Sequence, residues 1–191
     1  MKSACSNYEL IPRLLPNDSD RRRGKRECPT FITIHETSIG TDLKDTCCGT
    51  RYGVAYYESV LRTPNPNHVA YHYLVEANYG EPSHVYMFLE PSVIAYHAGS
   101  PEGNLLSIGI ERLVNTDTDM ERAIATQANL TSNLMLTYLI PLSHVVPHKY
   151  WSGKECPGRL LAGLYGGWDG FIEQVKDHFA FNYGYSVLLD K

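Results

Sequence analysis

The chain has 191 residues, 43% hydrophobic and 20% charged, with a formal net charge of −4 at pH 7. These values exclude a mainly disordered or collagen-like chain and supply no global positive field for nucleic acid. No apolar run approaches the roughly 18 residues of a membrane-spanning helix, and a chain of this length buries roughly 70% of its unfolded surface, enough for a core without disulfide staples.

The opening Met1-Lys2-Ser3-Ala4-Cys5 lacks the apolar segment of a Sec-type signal, so no signal peptide is expected. The run Arg21-Arg22-Arg23-Gly24-Lys25-Arg26 is the one charge block, read as a solvated loop or as a contact to an anionic wall polymer. Phe31-Ile32-Thr33-Ile34 is β-branched and reads as a buried strand. Residues 51–62 have helical spacing, with Val54, Tyr57, Val60 and Leu61 on one side and Pro64 just beyond. Strands are predicted at 69–75, 85–89 and 107–114; in the last, Ile108 and Ile110 share one face and Ser107, Gly109 and Glu111 the other. Asp117, Thr118 or Asp119 caps a long helix with a stripe from Met120 to Tyr138, which Pro141 ends. A last helix is predicted over 160–179, interrupted or preceded by Gly163, Gly166 and Gly167, and residues 182–191 have no strong pattern. Strands mixed with helices on this scale give one α/β domain.

Five cysteines occur, Cys5, Cys28, Cys47, Cys48 and Cys156; the odd count argues against a closed disulfide framework and leaves a thiol for chemistry. His35 ends the first buried strand, a place where α/β proteins put functional groups. His148 and Cys156 lie eight residues apart in a loop rich in turn formers. Imidazole and thiolate are both good zinc ligands. With His35 they would make a His₂Cys set whose fourth position stays open, the catalytic pattern. From spacing alone, a buried apolar Cys156 and a surface His148 are equally compatible.

Further blocks carry a resemblance. Arg23-Gly24-Lys25 with Phe31 to Thr37, then Ala70-Tyr71-His72-Tyr73-Leu74-Val75, Ala95-Tyr96-His97-Ala98-Gly99, Gly103-Asn104 with Ser107 to Glu111, and Trp151-Ser152-Gly153-Lys154-Glu155-Cys156-Pro157 stand in one order along residues 8–180. Together they resemble zinc-dependent N-acetylmuramoyl-L-alanine amidases, the family shared by phage endolysins, autolysins and peptidoglycan recognition proteins. The resemblance implies a catalytic domain over 1–181 with a central mixed β-sheet flanked by helices, and a tail or linker start over 182–191. It implies one catalytic Zn²⁺ on His35, His148 and Cys156, His148 being preferred to His144 because its step to Cys156 is the family's spacing.

It further implies catalytic roles for Glu111, Lys154 and Tyr71. Glu111 would move the proton, beside a Gly109 whose missing side chain leaves room for substrate, and Lys154 would face the oxyanion. His72, His97, Glu36 and Thr37 would line the substrate groove or fix hydrogen bonds around the site, and Trp151 would form core, groove wall or a sugar-stacking surface. Ser38-Ile39-Gly40 departs from the family's usual Gly-Asn, and residues 44–48 have no recognisable counterpart. The implied partner is bacterial peptidoglycan, with no nucleic acid, no membrane span, and a wall-binding domain outside this chain as an option. Such a protein is made in the cytoplasm and reaches the wall through a phage holin or another route. The alternatives are a non-catalytic recognition module, which would commonly lack the cysteine ligand, a cytosolic amidase recycling wall fragments, or a zinc hydrolase acting on another amide.

Overall fold

In the computed structural model, which describes residues 8–37, 50–64 and 67–189, strands form where β-branched and aliphatic residues cluster. Cys5, Cys47, Cys48 and the departures at 38–40 and 44–48 lie outside the described residues. The strands are β1 (Tyr8–Pro12), β2 (Phe31–Ile34), β3 (Tyr73–Glu76), β4 (Ser83–Met87), β5 (Ser107–Arg112) and β6 (Val145–Pro147). They make one sheet in the order β1-β4-β3-β5-β2-β6. Every neighbouring pair is parallel except β3 and β4, so the sheet is mixed, as expected. The edge strands β1 and β6 are not legible in the sequence: each is short and ends in proline, which a sheet tolerates at its edges because no ladder hydrogen bond is lost there.

The period of two divides the sheet's faces. Ile32 and Ile34 of β2, Ile108 and Ile110 of β5, and Tyr73 and Val75 of β3 enter one core cluster. That cluster is closed by Ile124, Ala128 and Met135 of α3 (Met120–Tyr138) and by Phe171 and Val175 of α6 (Gly167–Leu189). Each such side chain, once fully buried, contributes about 1.5–3 kcal/mol. On the opposite face Leu74, Tyr86 and Leu113 pack with Val54 and Leu61 of α1 (Thr50–Arg62). The remaining positions on that face, Thr33, His35, Gly109 and Glu111, are left for chemistry. Asp119 caps α3, its Oδ1 accepting the Arg122 N–H at 3.2 Å. A short α2 (Pro101–Leu106), absent from the sequence reading, is capped by Ser100, whose Oγ accepts from the Gly103 N–H. No helix among the described residues is long and apolar enough to cross a membrane.

The glycines interrupt the last helix as expected, splitting it into α5 (Gly158–Leu161) and α6 through Gly163, Gly166 and Gly167 at φ 80°, 86° and 69°; its end is what changes. Helix α6 then continues past residue 179 to Leu189. Its later turns are tied by polar contacts rather than an apolar stripe: Asn182 Nδ2 donates to Ser132 Oγ and Asn133 Oδ1 on α3, both at 2.8 Å. Hydrophobic periodicity does not register such a tie.

The arginine run is only partly solvated: Arg23 and Lys25 are exposed, while Arg21, Arg22 and Arg26 are tied into the protein. Arg21 is 1% exposed and donates to the carbonyls of Val69, Val60 and Thr63, holding the end of α1. Arg26 donates to the carbonyls of Pro91, Leu105 and Ser107 at 2.8–2.9 Å. Arg22 pairs with Glu90 at 2.9 Å, and the Arg23 guanidinium lies 5.1 Å from the centre of the Tyr96 ring. A guanidinium offers five donors in a fixed fork, which suits stitching loop carbonyls that have no ladder partner.

Candidate active site

Three adjacent parallel strands bring the chemistry together at their C-terminal ends, where open α/β sheets commonly bind ligands. The register Ile34↔Ile110 sets the next residues, His35 and Glu111, side by side, and Ile34↔Pro147 does the same for His148. The His35 N–H donates to the Ile110 carbonyl at 2.9 Å, and the His148 N–H to the Ile34 carbonyl at 3.3 Å. Cys156 returns on the loop after β6, through α4 (Lys149–Ser152), with its carbonyl accepting the Lys149 N–H.

His35, His148 and Cys156 are 1%, 7% and 5% exposed. One ligand atom from each falls within 4.8 Å of the other two. Cys156 Sγ stands 4.0 Å from His35 Nδ1, and Glu111 Oε1 stands 3.9 Å from that same nitrogen. All four face a cavity of about 490 Å³ that Tyr71 and Lys154 also line.

A family model described as N-acetylmuramoyl-L-alanine amidase matches residues 24–159. The chain belongs to this amidase family. XlyA of Bacillus subtilis, an N-acetylmuramoyl-L-alanine amidase, is 34% identical over 164 residues, covering 85% of this chain and 49% of that protein. CwlH of the same organism, also so named, is 34% identical over 168 residues, covering 85% of this chain and 59% of its own length. The chain therefore spans about half to three-fifths of these curated amidases. A solved structure of a mutant endolysin from Bacillus subtilis superposes with a TM-score of 0.73 at 32% identity, covering 88% of this chain and 99% of that one.

The amidase donor set fits a metal of the zinc type: two imidazoles and a thiol, with room for a fourth ligand. Unpartnered atoms support this. His148 Nδ1 and Glu111 Oε2 are buried and find no hydrogen bond among the described residues. Burial, then His97 and His148, hold His35 well below the ordinary histidine range, and burial with Lys154 lowers His148 to about 4. Both rings are thus neutral and ready to donate a lone pair. Burial and Glu111 push the Cys156 thiol up to about 12, so a bound cation would have to displace its proton. Burial, opposed by Lys154, raises Glu111 to about 8.

The remaining expectations divide. His97, Thr37 and Glu36 border the cavity. Yet the Glu36 carboxylate is committed elsewhere: Oε2 takes Arg112 Nη2 at 2.6 Å and Oε1 takes the Arg159 N–H at 2.8 Å. Of its two expected places, His72 takes the hydrogen-bonding one rather than the groove. It is fully buried, with Nδ1 accepting the Gly109 N–H at 3.0 Å and Nε2 donating to the Val93 carbonyl at 2.9 Å. Trp151 is not on the cavity either; its ring meets Phe31 edge-on at 5.1 Å and its Nε1–H donates to Thr33 Oγ1 at 2.8 Å. Gly109 leaves room for a histidine rather than for substrate, since an added Cβ would lie 2.7 Å from the His97 ring.

Sequence reasoning missed Arg112, which is fully buried and joins Glu36 to Gln127, whose Nε2 in turn donates to the His35 carbonyl at 3.0 Å. A lone arginine closing an apolar strand run was the available signal. Replacing Arg112 with Met is expected to cost about 3–5 kcal/mol, because the buried Glu36 carboxylate loses its 2.6 Å guanidinium partner and keeps only Arg159. Urea unfolding would measure this, and adding Glu36→Gln should restore much of the loss.

Proposed function

We propose that this chain hydrolyses the amide joining N-acetylmuramic acid to L-alanine in bacterial peptidoglycan, using one zinc ion held by His35, His148 and Cys156. The carrying observation is the three buried ligand atoms within 4.8 Å of one another, with the Glu111 carboxylate 3.9 Å from His35 Nδ1. Membership of the amidase family and likeness to an endolysin structure support the substrate and the action at the cell wall.

Zinc, when bound, lowers the pKa of water and polarises a carbonyl oxygen. The chain's own groups supply the rest. Hydrolysis adds hydroxide to the carbonyl carbon, breaks the carbon–nitrogen bond and delivers one proton to the leaving amine. Glu111 is the group to take the proton from water and return it to that amine. A cation beside His35 Nδ1 favours the ionised carboxylate the first step needs. Lys154 lines the cavity, and its ammonium is the group to stabilise the developing oxyanion. Tyr71 is 6% exposed and its hydroxyl has no partner among the described residues, leaving its hydrogen for the substrate oxygen.

Lys154→Ala should lower kcat by about 10²–10³ with zinc content unchanged. Tyr71→Phe should lower kcat with unaltered KM; an unchanged kcat would make Tyr71 a packing residue.

The function itself is tested by digesting purified peptidoglycan and measuring new N-terminal alanine beside new reducing sugar. Alanine without reducing ends, lost on chelation, is expected. Binding without new alanine on several peptidoglycan types would instead identify a recognition module.

A further inference from the structure

His97 touches a histidine of the metal set, its Nδ1 3.0 Å from His35 Nε2, and Ala98 follows it in the chain. One side chain holds the pair: Asn104 Oδ1 accepts the His97 N–H at 2.9 Å and the Ala98 N–H at 2.8 Å. We propose that the His97–Ala98 step, pinned by Asn104, fixes His35 as its Nε2–H tautomer and so delivers its Nδ1 atom to the metal. The proposal rests on the zinc reading above.

The direction of each bond follows from groups that have no choice. The Ser107 carbonyl only accepts, and it faces His97 Nε2 at 3.1 Å, so that nitrogen carries the hydrogen. Arg26 Nη1, which only donates, holds the same oxygen at 2.8 Å. Ser107 Oγ does not alter this. It takes the Thr33 hydroxyl at 2.7 Å and gives its own hydrogen to the Gly103 carbonyl at 2.6 Å. A neutral His97 with hydrogen on Nε2 has its lone pair on Nδ1, which therefore accepts the His35 Nε2–H. The His35 lone pair is left on Nδ1, the atom 4.0 Å from Cys156 Sγ.

The seat of this step is sterically closed. A Cβ on Gly109 would meet the His97 ring at 2.7 Å, and one on Gly103 would meet the Ala98 Cβ at 2.6 Å. His97 and Asn104 are thus positioning residues. They act through His35, and such outer partners commonly change metal affinity by about 10–100-fold.

The test combines ring-nitrogen NMR on ¹⁵N-histidine protein, metal-free and zinc-loaded, with zinc affinity from competition against a chromophoric chelator. In the wild type, His35 and His97 should both carry hydrogen on Nε2 without metal, and the His35 Nδ1 signal should shift on adding zinc. His97→Leu and Asn104→Leu should weaken zinc binding about 10–100-fold, with mixed His35 tautomers in the first. His97→Asn, whose amide oxygen keeps an acceptor near Nδ1, and Asn104→Asp, which keeps the shared oxygen, should retain affinity within one order of magnitude. Wild-type His35 with hydrogen on Nδ1, or leucine variants that bind zinc like the wild type, would overturn the proposal. The wild-type spectra need no substitution, so the result stands even where a leucine variant fails to fold. A wild-type chain whose zinc uptake is indifferent to His35→Ala would instead remove the zinc reading, and this device with it.

Discussion

Cys156→Ala should reduce peptidoglycan hydrolysis to the level of the chelated wild type and abolish tight zinc binding. The thiol is 5% exposed and sits 4.0 Å from His35 Nδ1, so no surface group or bulk water takes its place without moving the loop. The sulfur is also the donor whose proton is hardest to remove, its pKa being pushed up to about 12 in the absence of metal. Binding should therefore release a proton and weaken as pH falls. The same variant separates ligation from folding. Free zinc at a thousandfold excess over its Kd should stabilise the wild type by about 4 kcal/mol, read as a rise in Tm, whereas Cys156→Ala should show little of that rise. A variant that keeps both the zinc-dependent Tm shift and the release of alanine would sink the three-ligand assignment.

Glu111→Gln should cut kcat by about 10²–10⁴ while leaving zinc content at the wild-type level. The amide is nearly isosteric but takes no proton from water, so substrate binding and KM should change little. A second readout comes from stability. In the metal-free protein Glu111 is raised from 4.5 to about 8, chiefly by burial. A carboxyl raised on folding contributes its stability below its unfolded pKa and loses it as pH climbs through the folded one. Between pH 4.5 and 8 the metal-free wild type should thus lose stability that Glu111→Gln retains, and urea midpoints across that window would show the two diverging. Added zinc should narrow the gap by favouring the carboxylate. Parallel curves without zinc, or a variant with near-normal kcat, would remove Glu111 from the proton-transfer role.

The cluster of His35, His148 and Cys156 could be proposed from the sequence because its residue types are few and strand ends gather them, with the family's spacing choosing His148 over His144. His35 closes a β-branched run, and His148 and Cys156 bracket a turn-rich loop. The face carrying Glu111 was legible from the alternation of Ile108 and Ile110. What escaped notice depends on contacts across long sequence separations. The arginine run looks like surface charge until the carbonyls of Val60, Val69 and Ser107 are brought to it. For His72 and Trp151 the sequence left a groove position and a supporting one open, because it does not show which partner a ring nitrogen meets. Their ring nitrogens are consumed by backbone and threonine partners inside the protein. Gly109 had the right significance for the wrong neighbour, since close approach by His97 and close approach by substrate leave the same mark in sequence. The later turns of α6 were invisible because Asn182 secures them through amide hydrogen bonds.

The parity of β2 and β5 has a meaning for how this protein accommodates change. Positions 32, 34, 108 and 110 feed only the core, while 33, 35, 109 and 111 feed only the site and its supports. Core positions accept volume-conserving aliphatic exchange at less than about 1.5 kcal/mol, so drift there tunes durability without touching turnover. The odd positions have no comparable latitude, and a single-residue insertion in either strand would exchange the two sets at once. Evolution and the protein engineer therefore meet the same interleaved ladder, in which adjacent rungs answer to independent selection.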